Sequence, residues 1–363
     1  MRVALIHDFL TQYGGAEKVL ESFHEIWPKA PIFTLFYNKK AMGDKFADCD
    51  IRVSPIQNLP FGEKKYRWYL PLMPSAIERF NLKEYDLVIS DCSAYAKGVI
   101  THPHTCHISY IHTPTRYLWS DAHDYIDSLK GGEKLMSKLA APFLTQLRVW
   151  DKLAAQRPSA LIANSKFIAE RIKYYYEKES TVIYPPVETD NFKISKKIDN
   201  YFLIISRLRP YKRVDLAIQA FNNLKMPLKI IGGGDKQGLE KMAGPNIEFL
   251  GFVSDKEKVE YLSHCQALIH PQEEDFGITA VETMAAGRPV IAYQAGGVSE
   301  TIIDNQTGML FKEQTWESLA EKVIKFNSKD FNPEKIREHA LSFSKKRFKK
   351  EIKSFVQNCL AKP

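Results

Sequence analysis

Two carboxylates, Glu274 and Glu282, frame a glycine-led segment, and that arrangement suits an anionic, hydroxyl-rich ligand. From Pro271 to Gly297 the chain reads PQEEDFGITAVETMAAGRPVIAYQAGG. Gly277 permits a tight turn, Thr279 to Ala286 has a helical pattern, and Gly287-Arg288-Pro289 closes it before the apolar run Val290 to Tyr293. A helix start offers unpaired backbone N–H groups and the positive end of the peptide dipole, so a diphosphate fits there. Glu282, one turn further in, is placed to accept hydrogen bonds from sugar or ribose hydroxyls. Glu274 lies on the preceding loop. The acidic run Glu273-Glu274-Asp275 would equally complement the helix dipole with no ligand at all.

Further clusters carry similar promise. In YFLIISRLRPYK, an apolar strand ends in Ser206-Arg207 and is followed by Lys212. Two cations at one strand edge can neutralise the phosphate groups of an anionic ligand. Solvated surface cations would look the same in isolation. Near the N-terminus, Val3 to Ile6 leads through His7-Asp8-Phe9-Leu10 to Gly14-Gly15-Ala16-Glu17-Lys18. A glycine pair at a helix entry lets backbone approach a ligand closely, and a plain turn fits as well. G-x-G-x-x-G is absent, which disfavours a nicotinamide dehydrogenase. In SYIHTPTRYLW, a strand delivers His112 to its C-terminal edge, where open α/β sheets bind ligands. His7, His102, His104 and His107 show that the chain has histidines to spare for structural work. Arg116, Tyr117 and Trp119 beside it read as ligand contacts or as core.

These residues need a scaffold, and the rest of the chain describes one. Strand-sized apolar runs alternate with helical patterns in both halves, which argues for parallel sheets covered by helices. The runs Leu228 to Ile231 and Ile247 to Leu250 are followed by Gly232-Gly233-Gly234-Asp235 and Gly251-Phe252-Val253-Ser254, both turn chemistry by themselves. Tyr184-Pro185-Pro186-Val187 and the polar stretch through Asn200 read as a linker. At 363 residues and 44% hydrophobic content, two packed domains are expected: 1–190, and 191–340 with a helical, basic tail from about Pro333. No run is long enough to span a bilayer and Met1-Arg2 leads straight into a strand, so a cytoplasmic location is expected. Five scattered cysteines fit a reduced compartment without structural zinc.

The net charge of +8 is concentrated in KKRFKKEIK, Lys345 to Lys353. A second basic-aromatic cluster combines Lys64, Lys65 and Arg67 with Phe61, Tyr66, Trp68 and Tyr69. Such segments suit an anionic membrane surface, here the inner face of the cell membrane, or else a solvated helix face over core aromatics. No nucleic-acid module is visible, so no nucleic-acid partner is expected.

Within EDFGITAVETMAAGRPVIA, Glu274 and Glu282 form an E-x7-E pair that resembles the signature of retaining glycosyltransferase family 4. The resemblance implies an α/β fold of GT-B type: two facing Rossmann-like domains with a central cleft, an N-terminal acceptor domain and a C-terminal nucleotide-sugar domain. A last helix, about 341–363, would cross back onto the first. It also implies roles. Glu274 faces the donor sugar, Phe276, Gly277, Ile278 and Thr279 present backbone to the diphosphate, and Glu282 holds the ribose. Ser206, Arg207 and Lys212 clamp the phosphates, Gly14 and Gly15 face them, and Gly233, Phe252 and Val253 line the donor pocket. His112 approaches the transferred sugar, with Arg116 and Tyr117 toward the acceptor.

HTPTRYLW is similar to bacterial mannosyltransferases that build O-antigen and exopolysaccharide chains. The expected reaction therefore moves a hexose, mannose from GDP-mannose first, to a saccharide hydroxyl on a lipid-linked acceptor, with retention, no cofactor and no metal. A UDP-sugar donor carrying glucose, galactose or GlcNAc is the alternative, and a sugar-nucleotide epimerase of the same fold a more distant one.

Overall fold

The computed structural model describes residues 1–60, 66–122 and 141–361. Phe61, Lys64 and Lys65 of the basic-aromatic cluster lie outside them. The chain divides into two compact units, one made of Met1–Tyr184 and Lys349–Pro363, the other of Pro185–Phe348.

The first unit is built on seven parallel strands: β1 (Val3–Leu10), β2 (Ile32–Tyr37), β3 (Ile51–Val53), β4 (Leu87–Cys92), β5 (Cys106–Ile111), β6 (Ala160–Ala163) and β7 (Thr181–Val182). They lie in the order β3-β2-β1-β4-β5-β6-β7. Every residue of β4 is buried, as expected of a strand covered on both faces, where continuous apolar runs replace alternation. Strand order reverses between β1 and β4. Connections leave that point in opposite directions and open a crevice at the strands' C-terminal ends. The helix Gly15–Ile26 follows β1 and buries Val19, Leu20 and Phe23. Its start is tied down by Glu17, whose Oε2 accepts the Gly14 N–H at 2.8 Å.

The second unit has six parallel strands: β8 (Phe202–Ile205), β9 (Leu228–Ile231), β10 (Ile247–Gly251), β11 (Leu268–His270), β12 (Val290–Tyr293) and β13 (Gly308–Phe311). Their order, β10-β9-β8-β11-β12-β13, is the doubly wound dinucleotide-fold pattern, with its reversal between β8 and β11. The stretch from Pro185 to Asn200 is not a loose linker. Arg288 donates to the carbonyls of Ser195 (2.7 Å) and Lys197 (2.9 Å), Arg337 donates to that of Phe192 (2.6 Å), and Phe192 is buried. Composition alone suggested a spacer; the carbonyls of the segment in fact satisfy two arginines.

The basic tail forms two helices, Pro333–Leu341 and Lys345–Leu360, broken at Ser342–Ser344. In the second, Ile352 and Val356 are buried, and Lys349 pairs with Glu25 at 2.8 Å.

Candidate active site

The second unit gathers most of the expected residues at the C-terminal ends of β8 and β11, on either side of the strand-order reversal. Adjacent parallel strands carry their following loops off the same edge, so Ser206 to Lys212 and Pro271 to Gly277 start side by side. Lys212 forms an ion pair with Glu274, both largely buried. Gln272 Nε2 donates to the same Glu274 oxygen at 3.1 Å, and His270 Nε2 stands 3.8 Å from the other. Burial alone would raise the Glu274 carboxyl, but Lys212 and then His270 outweigh it and hold it at about 2. Burial pushes His270 below its ordinary range. Arg207 is exposed; its carbonyl accepts from the Ser206 hydroxyl at 3.1 Å, and its guanidinium has no hydrogen-bond or ion-pair partner among the described residues.

Gly277 starts the helix Ile278–Ala285 in the left-handed region, φ +87°, a conformation that costs glycine nothing. The Gly277 carbonyl already accepts from Ala280 at 3.0 Å, whereas the amides of Gly277, Ile278 and Thr279 find no acceptor among the described residues. Phe276 just before it is buried and packs edge-on against Phe343. A hydrogen bond from Gly297 N–H to the Glu274 carbonyl, 2.8 Å, braces the loop from the other side. Glu282, 3% exposed, is held by Lys258 through both oxygens at 3.0 and 2.9 Å. On the loops after β9 and β10, Gly233 stands against the Phe252 ring, where a methyl group would come within 2.2 Å of it. The ring is 87% exposed on its outer side. Val253, next to it, is half-buried.

The first unit assembles a second constellation where β1 diverges from β4. His112, just past β5, contacts Asp91 Oδ1 at 2.6 Å through Nε2, and His7 on β1 contacts Asp91 Oδ2 at 2.9 Å through Nδ1. The other nitrogen of His7 faces Glu17 Oε1 at 3.6 Å. Burial would lower His7, but Asp91 and Glu17 push it up to about 10. Burial likewise opposes ionisation of Asp91, and His112 with His7 holds it below its ordinary range. Asp8 accepts four backbone amides: Ser93 (2.6 Å) and Ala94 (2.8 Å) on Oδ2, Tyr95 (2.7 Å) and Ala96 (2.7 Å) on Oδ1. Gly14 is half-buried and Gly15 exposed.

Beyond His112, the HTPTRYLW turn is anchored rather than open. Buried Asp151 receives Lys97 (2.6 Å), Thr115 (2.7 Å), Trp119 (2.7 Å) and Tyr176 (2.8 Å). The Tyr117 hydroxyl is bonded to that of Tyr95 at 2.6 Å, and half-buried Arg116 lies 3.6 Å from Asp121. Among the described residues no three His, Cys, Asp or Glu side chains are grouped to hold a metal ion.

Sequence reasoning missed Lys258, Gln272, Asp91 and Asp8, and treated His7 as a spare histidine. For Lys258 a signal existed: the Ser254-x-x-Glu257 capping box starts a helix at Asp255 and sets Lys258 one turn in. That His7 and Asp91 meet follows only from the pairing of β1 with β4, in which they stand in register.

Among solved structures, Anabaena HepE crystallised with UDP superimposes with a TM-score of 0.74, covering 99% of this chain and all of its own, at 18% identity. Residues 187–343 match the family model for glycosyl transferases group 1, and residues 13–191 that for Glycosyltransferase Family 4. The chain is a GT-B glycosyltransferase of group 1 and family 4. An uncharacterized glycosyltransferase of Methanocaldococcus jannaschii is 28% identical over 59% of this glycosyltransferase and 67% of its own length. The O-antigen chain mannosyltransferase C of Escherichia coli is 25% identical over 55% and 56%. The glycosyltransferase therefore spans only about half of that mannosyltransferase in alignment. No helix among its described residues is long and apolar enough to cross a membrane.

Proposed function

We propose that this glycosyltransferase transfers mannose from GDP-mannose to a saccharide hydroxyl on a lipid-linked acceptor, with retention and without a metal. The observation that carries the donor half of this reading is the Lys212–Glu274 pair beside the unpaired amides of Gly277 to Thr279. Those amides and the helix dipole suit a diphosphate, and Arg207 and Lys212 add fixed positive charge where the leaving group departs. Glu282, already preorganised by Lys258, receives the ribose hydroxyls, and the exposed Phe252 ring over Gly233 offers a face for the base. The family resemblance assigns Gly14 and Gly15 to the phosphates and His112 to the transferred sugar.

In the reaction, the acceptor oxygen forms a bond to the anomeric carbon on the face from which the bond to the β-phosphate breaks. The acceptor proton passes to a phosphate oxygen of the departing diphosphate. Every charge that develops is then met by Arg207, Lys212 and the helix start, which do the work a divalent cation does elsewhere. The mannosyltransferases among the relatives support mannose as the sugar. Exposed Lys346, Lys350 and Lys353, on successive turns of the last helix, suit an anionic membrane surface, where a lipid-linked acceptor would reside.

The test is to incubate the protein with GDP-mannose, UDP-glucose and UDP-GlcNAc and follow thermal shift and slow donor hydrolysis. GDP-mannose is expected to give the largest shift, and Glu282→Gln to weaken its affinity about tenfold or more through a lost charge-assisted hydrogen bond. A shift with a UDP-sugar alone overturns the mannose assignment. No shift with any donor, unaltered by Lys212→Ala, overturns the donor site.

A further inference from the structure

We propose that His7 is a positioning residue, a buried imidazolium that locks the Gly14–Gly15 turn and His112 into one rigid assembly through Glu17 and Asp91. Both ring nitrogens face carboxylate oxygens, Nδ1 at 2.9 Å from Asp91 and Nε2 at 3.6 Å from Glu17. A neutral imidazole donates through one nitrogen only and would turn a lone pair toward the other carboxylate. At 3% exposure that arrangement is repulsive, so the ring carries both protons.

Each carboxylate then has one oxygen on His7 and one on a residue of functional interest. Glu17 uses its second oxygen for the Gly14 amide at 2.8 Å, and Asp91 uses its second oxygen for His112 Nε2 at 2.6 Å. Because ionised Asp91 can only accept, His112 must present Nε2–H to it and keep Nδ1 for another partner. One charge thereby fixes both a backbone turn and the tautomer of a histidine. Neither Gly14 nor His112 touches the other directly in this chain of contacts; His7 is the link. Without that proton a ring lone pair would face one of the two carboxylates in a buried site, and the tie between the turn and His112 would be lost at that contact.

The kinetic consequence rests on the transferase reading; the protonation state does not. With 15N-histidine-labelled full-length protein, NMR is expected to show both nitrogens of His7 protonated at pH 7.5, unchanged between pH 6 and 8, and His112 protonated at Nε2. A neutral His7 at pH 7.5, or His112 protonated at Nδ1 alone, overturns the proposal. This arm needs no variant to fold.

In steady-state transfer or donor hydrolysis, His7→Gln and Glu17→Gln are each expected to lower kcat by about tenfold to a hundredfold, the scale of a misplaced reacting group. KM for the donor and affinity for GDP should change much less than kcat, because the Gly14–Gly15 turn is only one of the contacts to the phosphates. The double variant should lose no more than the worse single one, since both break the same lock. Multiplying losses, or a raised KM with kcat intact, overturn it. If the wild-type protein processes no nucleotide sugar, the functional reading fails while the NMR result still decides the lock.

Discussion

Replacing Lys212 with methionine keeps an unbranched stem one atom shorter and removes the charge, which isolates most of what the ion pair to Glu274 contributes. Glu274 is held at about 2 against an ordinary 4.5, and each unit is worth 1.36 kcal/mol, so ionised Glu274 contributes about 3 kcal/mol to folding at neutral pH. That figure is net of burial and shared with His270 and Gln272. Since Glu274 retains some solvent contact, loss of Lys212 is expected to cost about 2 kcal/mol. The sign follows from the depressed carboxyl. Its stabilisation is present above the unfolded value of 4.5 and is lost as pH falls from there toward 2.

Without Lys212, burial dominates and raises Glu274, so the variant gains rather than loses stability from acid in that window. The two curves should therefore converge between pH 4.5 and 3. Because the chain has two compact units, one global transition cannot be assumed. Amide hydrogen exchange along a urea series, read on peptides covering β8 and β11, reports the second unit alone. A gap as wide at pH 3.5 as at pH 7 would mean that the lysine stem packs and the charge contributes nothing.

Other outcomes follow from the same geometry. Gly296→Ala places a methyl 2.2 Å from the Glu274 carbonyl oxygen at φ +69°, and should cost about 3 kcal/mol in unfolding by urea. Gly238→Ala, in open space within the helix Gln237–Met242, should be neutral or stabilising by up to about 1 kcal/mol in the same titration. Asp8→Asn puts an amide NH2 where two backbone N–H groups now donate and should lower stability by about 2–4 kcal/mol; an unchanged melting temperature of the first unit would show that the loop Ser93–Ala96 does not need its acceptor.

Much of this molecule could be read before its coordinates. Parallel strands announce themselves as uninterrupted apolar runs, and Val3 to Ile6, Leu87 to Ile89 and Phe202 to Ile205 were visible for that reason. The Gly277 helix start was equally legible, because a left-handed residue before a helix favours glycine and Gly287-Arg288-Pro289 marks its end. Pairings across the fold were not. Lys212 with Glu274 and Lys258 with Glu282 depend on which loops leave neighbouring strands, and sequence separation carries no trace of that. His7 was passed over because a histidine in an apolar strand looks like core; only the register of β1 on β4 shows that a carboxylate stands opposite. Conversely, nothing in the sequence shows that Tyr117, expected toward the acceptor, shares a hydroxyl hydrogen bond with Tyr95.

The last helix has a consequence for how the protein comes into being. Residues from Lys349 onward belong with Met1–Tyr184, although the whole of Pro185–Phe348 is translated between them. On the ribosome, the nascent first unit must wait, lacking Ile352 and Val356, while its neighbour emerges and folds. At about 5–20 residues per second that delay lasts on the order of ten to thirty seconds, during which those two apolar side chains are missing. Severing the gene after Tyr184 would therefore yield not an independent domain but a permanently unfinished one.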